Sequence, residues 1–344
     1  MKKFLVLVLA VVIIVGGGAW FVLMKTTAGQ DFVLSRAVAA MAPAAEVPVD
    51  GIRVYVCGSA APLPTVGRAQ ACLAVLTPSH FFIVDAGPGS SNTISLGALP
   101  GERLDGLLLT HFHSDHIAEI PTVNLTSWVA GRQGPLKLYG PPGVQRIADG
   151  FNEAFALDRE YRVTHHGSDF MPIEFGRLEA IERPVESTLE FGELTVTSFK
   201  VNHAPIEPAV GYRFEYKGRS VVITGDTVVT GRLRAMVDDA DLLFSDAMSL
   251  PIVKTLEGAA AASGQDRLAK ILFDIQDYHA SVADVAELTR TTGVGMTALY
   301  HLVPGPRNAL MENIFKREFA DNMVLTSDRM WFTLPVGSDD VLID

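Results

Sequence analysis

Four potential metal ligands fall within six residues, His111-Phe112-His113-Ser114-Asp115-His116, one residue after the apolar triplet Leu107-Leu108-Leu109. In extended chain, side chains two apart share a face, so His111 and His113 point the same way. A turn after Ser114 then brings Asp115 and His116 toward a neighbouring point. Neutral imidazoles and carboxylates suit zinc, manganese or iron without any thiolate. A His-rich surface loop, or core histidines that happen to be adjacent, would explain one such residue but not the whole pattern.

Three further residues belong to the same argument. His203 and His301 each end a predicted strand, and Asp226 sits in the turn Gly225-Asp226 after the apolar Val221-Val222-Ile223. Taken singly, His203 reads as a loop residue, Asp226 as a turn former and His301 as a buried structural histidine. Beside the 111–116 cluster they read as ligands, because strand ends are where distant segments converge.

The rest of the chain supplies strands and helices in alternation. Strands are predicted over Ile52–Val56, Leu107–Leu109, Leu136–Tyr139, Leu194–Val201, Val210–Tyr216, Ser220–Thr224, Asp241–Phe244 and Met296–Tyr300. Ala71–Thr77 and His80–Val84 form a predicted hairpin around Pro78-Ser79. Helical spacing covers Val144–Phe155, and Ser281 with Asp284 caps a helix over Val282–Thr292. Residues 156–190 show no assignable pattern. The order points to an α/β fold of stacked layers.

With Asp85 upstream, the ordered set His111, His113, Asp115, His116, His203, Asp226 and His301 resembles the metallo-β-lactamase superfamily over roughly residues 51–335. The resemblance implies a four-layer αββα sandwich with two divalent cations, zinc first and manganese or iron as the other options. It assigns His111, His113 and His203 to one metal, and Asp115, His116 and His301 to the other. Asp226 would bridge both, and Asp85 would orient a ligand histidine.

Leu138-Tyr139-Gly140-Pro141-Pro142-Gly143, Pro208–Phe214 and His279-Ala280-Ser281 are similar to the ribonuclease Z and arylsulfatase-like branch. That branch implies an acid–base role for His279 paired with a carboxylate. Here Ser245-Asp246-Ala247 stands where ribonuclease Z has His-Glu-Ala, so Asp246 is the matching acid and is shorter. Asp115, besides ligating, could align the attacking hydroxide. A capping or structural role for His279 is the other reading.

The N-terminus adds a separate expectation. Lys2 and Lys3 precede Phe4–Met24, an apolar or glycine run of 21 residues, about 30 Å long as a helix and enough to cross a bilayer. Residues 1–24 therefore read as a membrane anchor, or as a cleaved signal with Gly17-Gly18-Ala19 at its end, or as a buried helix. Residues 25–50 read as an Ala/Pro-rich linker with one short helix over Asp31–Met41, and residues 51–344 as the hydrolase domain. An anchor with Lys2 and Lys3 inside sends that domain out of the cytoplasm, into a periplasm, or into the medium if cleaved.

Twenty-eight Lys and Arg against 39 Asp and Glu give a net charge of −11, which repels phosphate backbones. Asp158–Glu190, where ribonuclease Z carries a basic arm, is acidic on balance, so it is expected to cover the pocket as a lid or as specificity loops. His165-His166 read as exposed loop histidines.

The leading expectation is thus a membrane-tethered hydrolase acting on a small phosphodiester, sulfate or related ester, with nucleic acid disfavoured and a homodimer left open. A ribonuclease Z-like endonuclease trimming tRNA 3′ ends is the alternative, and a non-catalytic metal-binding protein the third reading. Cys57 and Cys72, the two cysteines, flank the first loop. A disulfide and two buried thiols both fit that placement.

Overall fold

Alternation along the first strand sets the layering. In β1 (Gly51–Gly58), Ile52, Val54 and Val56 enter one apolar cluster while Tyr55 and Cys57 enter another on the opposite face. A strand buried on both faces must lie between two other layers. A computed structural model describes residues 15–40 and 49–344, and residues Pro48–Asp344 make one compact unit.

The remaining strands are β2 (Cys72–Leu76), β3 (Phe81–Val84), β4 (Gly106–Leu108), β5 (Leu136–Gly140), β6 (Leu178–Glu182), β7 (Ser187–Phe191), β8 (Leu194–Lys200), β9 (Val210–Tyr216), β10 (Arg219–Ile223), β11 (Leu242–Met248), β12 (Met296–Val303), β13 (Met323–Leu325), β14 (Trp331–Pro335) and β15 (Leu342–Ile343). They form two sheets. One runs β15-β14-β1-β2-β3-β4-β5-β6 and the other β13-β12-β11-β10-β9-β8-β7. Between them Val54, Phe82 and Phe332 of the first pack with Phe214, Phe244 and Tyr300 of the second.

Helices cover the outer faces. Ile120 and Val123 from Ile120–Val129, with Val144 and Ala148 from Val144–Ala154, pack on the first sheet. Val285 and Ala286 of Val282–Thr291 pack on the second. Ser281 caps that last helix as expected, its hydroxyl accepting from the amide of Asp284 at 3.1 Å. The order α-β-β-α is the four-layer sandwich anticipated from the sequence.

Cys57 and Cys72 are joined by a disulfide between β1 and β2, which settles that choice. Residues 156–190, without an assignable pattern in sequence, contain the helix Ala156–His166 and the strands β6 and β7. Each strand lies at the edge of one sheet, where few positions are fully buried and a short strand carries few apolar residues. Leu250–Ala262 and Asp266–Asp274 are helices that the sequence reading passed over.

The N-terminal expectation is corrected. Among the described residues no helix is long and apolar enough to cross a membrane. Residues 4–14 of the expected span lie outside the described residues. The membrane anchor and the extracytoplasmic, periplasmic placement that depended on it lose their support. In the separate unit Met1–Val47, the expected linker contains the helix Thr27–Ala40.

Candidate metal centre

All the expected ligands meet where the strands of the two sheets end. His111 follows β4, His116 lies in the turn of helix Ser114–Ile117, His203 follows β8, Asp226 follows β10, and His301 lies within β12. His111, His113, His203 and Asp226 form one group whose donor atoms lie within 4.8 Å of one another, and Asp115, His116, Asp226 and His301 form a second. Asp226 belongs to both.

Local backbone features aim these side chains. Between β11 and β12 the register slips so that Asp246 pairs with Tyr300 and Ala247 with Leu302. His301 is the extra residue of that bulge, with φ of 44°, and a bulge is a standard means of redirecting one side chain. Gly225 has φ of 62°, and a Cβ there would lie 2.9 Å from Cβ of Thr110. Only glycine lets the Asp226 turn approach the 110–116 segment so closely.

Polar contacts then fix orientation. Asp85 lies 2.8 Å from Nδ1 of His116, and its other oxygen accepts the amide of Thr110 at 2.9 Å. The carbonyl of Tyr278 lies 3.1 Å from Nδ1 of His203. Each leaves Nε2 facing the cluster, as ligand histidines require. His301 Nε2 lies 3.1 Å from Asp115, and His116 Nε2 3.4 Å from Asp226. Sequence reasoning missed Thr110 and Tyr278, whose only signal was adjacency to His111 and His279.

The donor set fits a pair of cations. Nε2 of His111 faces Nδ1 of His113 at 3.0 Å, and Nε2 of His116 faces Nε2 of His301 at 3.2 Å, so lone pairs converge without enough protons to share. Asp226 Oδ1 and His301 Nδ1 are buried with no hydrogen-bond partner, a costly state for polar atoms unless something bridges them. Burial holds the His111 and His203 imidazoles down, His203 to about 4, so both are neutral and able to ligate. Although burial opposes it, Asp226, Asp85 and Asp115 together hold His116 well up. Such a carboxylate-rich surround is one that a divalent cation would neutralise in place of the proton.

Beside the cluster, Asp246 lies 2.9 Å from Nδ1 of His279. Both are buried, and the His279 ring stacks on His301 with centroids 5.5 Å apart. Burial, opposed by the His279 hydrogen bond, pushes the Asp246 carboxyl up to about 6. His165 and His166 are exposed as expected, though on the last turn of helix Ala156–His166 and not in a loop, whereas the cleft beside His113 is lined by no residue of 156–190, against the expected lid.

Comparison with known proteins agrees with this geometry. Residues 80–302 match the model of the beta-lactamase superfamily domain. Ribonuclease Z of Mycobacterium bovis (strain BCG / Pasteur 1173P2) is 32% identical over 256 residues, covering 74% of this chain and 86% of that protein. Ribonuclease Z of Mycolicibacterium paratuberculosis is 31% identical over 283 residues, covering 80% and 96%. Human tRNase Z, short form, superposes with a TM-score of 0.57 at 18% identity, covering 82% of this chain and 99% of that one. The metallo-beta-lactamase fold protein YhfI from Bacillus subtilis gives 0.58 at 19%, covering 83% and 99%.

These relatives correct two expectations. A tethered hydrolase of small phosphate or sulfate esters is displaced by the ribonuclease Z alternative, and the expectation that nucleic acid is disfavoured loses its support. Mean charge is a weak guide here because it averages over a surface, whereas a nucleic acid meets one local face. The chain is a metal-dependent hydrolase with ligand clusters suited to a dinuclear divalent site, and it belongs to the metallo-β-lactamase superfamily, in its ribonuclease Z branch.

Proposed function

We propose that this protein is a ribonuclease Z-type endonuclease that hydrolyses a phosphodiester bond at the 3′ end of precursor tRNA. The observation that carries the reading is the buried Asp246–His279 pair beside a full two-metal ligand set, in a chain 32% identical to a ribonuclease Z. His111, His113, His203 and Asp226 would hold one cation, and Asp115, His116, His301 and Asp226 the other. Five imidazoles and two carboxylates favour zinc over manganese or iron.

When bound, the two cations acidify a water and offset charge on the phosphoryl oxygens. The chain's own groups do the rest. Asp115 accepts a hydrogen bond from the attacking water and aligns it. As the phosphorus–oxygen bond breaks, His279 gives a proton to the departing oxygen. Asp246 accepts from Nδ1 of His279, fixes the ring and stabilises its protonated form. Asp85 keeps His116 turned toward the cluster.

The test is cleavage of a precursor tRNA with a 3′ extension by metal-loaded protein, run beside bis(4-nitrophenyl) phosphate. A single cut that releases the extension is expected. Turnover of the small diester with the precursor left intact would sink the reading.

A further inference from the structure

A cleft of about 440 Å³ opens directly beside the ligands, lined by His113, Pro205, Ile206, Asp274, Asp277 and Tyr278. Its volume lies within the roughly 300–1,000 Å³ range of small-molecule sites. Pro205 and Ile206 belong to the turn that leaves the ligand His203, closed by the Ile206 amide on the His203 carbonyl at 2.9 Å. Tyr278 is half-buried, and its ring meets His203 edge-on with centroids 5.1 Å apart. The His279 ring, on the adjacent residue, is 5.0 Å away. A half-buried aromatic ring therefore borders both His203 and the proposed general acid.

The polar groups of the cleft are carboxylates. Asp277 is exposed, and Asp274 is ion-paired to Lys270. Carboxylates repel phosphate, so this cleft is unsuited to the nucleic-acid backbone. They accept hydrogen bonds from exocyclic amino groups, as Asp does from cytosine N4. An aromatic side chain stacks on any base. The two chemistries together suit a nucleobase and exclude its phosphate.

We infer that the cleft is a base subsite. The base of the nucleotide carrying the departing oxygen stacks on Tyr278, and Asp277 reads an amino group on it, favouring cytosine over uracil. The inference rests on the ribonuclease reading above and adds which part of the substrate this face takes. The Tyr278 carbonyl accepts from His203 at 3.1 Å, which ties the backbone that carries the ring to a candidate ligand.

The experiment measures kcat/KM of the zinc-loaded protein on precursor RNAs carrying cytosine, uracil or an abasic residue at each nucleotide flanking the cut. Cytosine is expected to exceed uracil about fivefold, and the abasic residue to lose about tenfold or more, only on the side of the departing oxygen. Asp277→Asn should narrow the cytosine–uracil ratio. Tyr278→Leu should raise KM more than it lowers kcat, with Tyr278→Phe restoring it and bound zinc unchanged. Equal kcat/KM for all three substrates would overturn the subsite and leave the ribonuclease reading standing. Hydrolysis of bis(4-nitrophenyl) phosphate with no RNA cleaved would overturn both.

Discussion

Asp85 touches His116 through one oxygen at 2.8 Å and the backbone amide of Thr110 through the other at 2.9 Å, so one carboxylate ties a ligand to the strand end that carries it. Asp85 itself is held at φ of 58°, a backbone state that surrounding contacts must sustain. Asp85→Asn should weaken metal binding about 10–100-fold. Competition with a chromophoric chelator measures this, and unchanged affinity would remove Asp85 from the site's support.

Asp226 is shared by the two groups assigned to the cations, and it also lies in a third with Asp246, His279 and His301. Asp226→Ala should lose bound metal from both and drop hydrolysis of RNA and of bis(4-nitrophenyl) phosphate below detection. Metal analysis of the purified variant gives the count. A variant with two metals and near-normal turnover would defeat the bridging assignment.

A proton donor matters most when the departing oxygen is a poor leaving group. His279→Ala should slow RNA cleavage about 10²–10⁴-fold, and should slow release of nitrophenolate much less. Similar losses on both substrates would point to a structural role for His279.

The Asp246 carboxyl must be ionised to hold a protonated His279, and it is pushed up to about 6 from 3.8. Turnover should therefore fall as pH drops through about 6, with that limb absent from a slower Asp246→Asn variant at saturating metal. Stability runs the other way. The folded protein holds this proton more tightly than the unfolded chain, so the contribution is full below about pH 3.8 and is lost as pH rises through about 6. Denaturant titrations of wild type and Asp246→Asn across that window check the sign.

The disulfide closes a loop between residues 15 apart in sequence. A closure of that length stabilises by about 3 kcal/mol. Cys57→Ala with Cys72→Ala should lower stability by roughly that amount in denaturant titration, and reductant should shift the wild type, not the variant. A difference near zero would mean that packing of β1 on β2 alone sets the loop.

Much of the candidate ligand cluster was legible because its members are locally marked. His111 follows an apolar strand, Asp226 sits in a Gly-Asp turn, and the 111–116 cluster has a spacing that few structural roles explain. Strand alternation, the Pro78-Ser79 hairpin and the Ser281 cap are local signals too, and they produced the elements expected. The N-terminal apolar run suggested a membrane span, but hydropathy describes composition, and among the described residues no helix is long and apolar enough to cross a membrane.

What the tertiary structure alone decided lies at long range. Asp115 meets His301 across 186 positions, and Asp246 meets His279 across 33. The bulge that turns His301 inward exists only because β11 and β12 pair with a slipped register. The strands β6 and β7 bury few residues fully, β7 alternating between half-buried and exposed positions, and each lies at the edge of its sheet. Short-range sequence encodes which residues can ligate and which segments extend. Their meeting depends on two sheets packing face to face, and that is a property of the whole buried core.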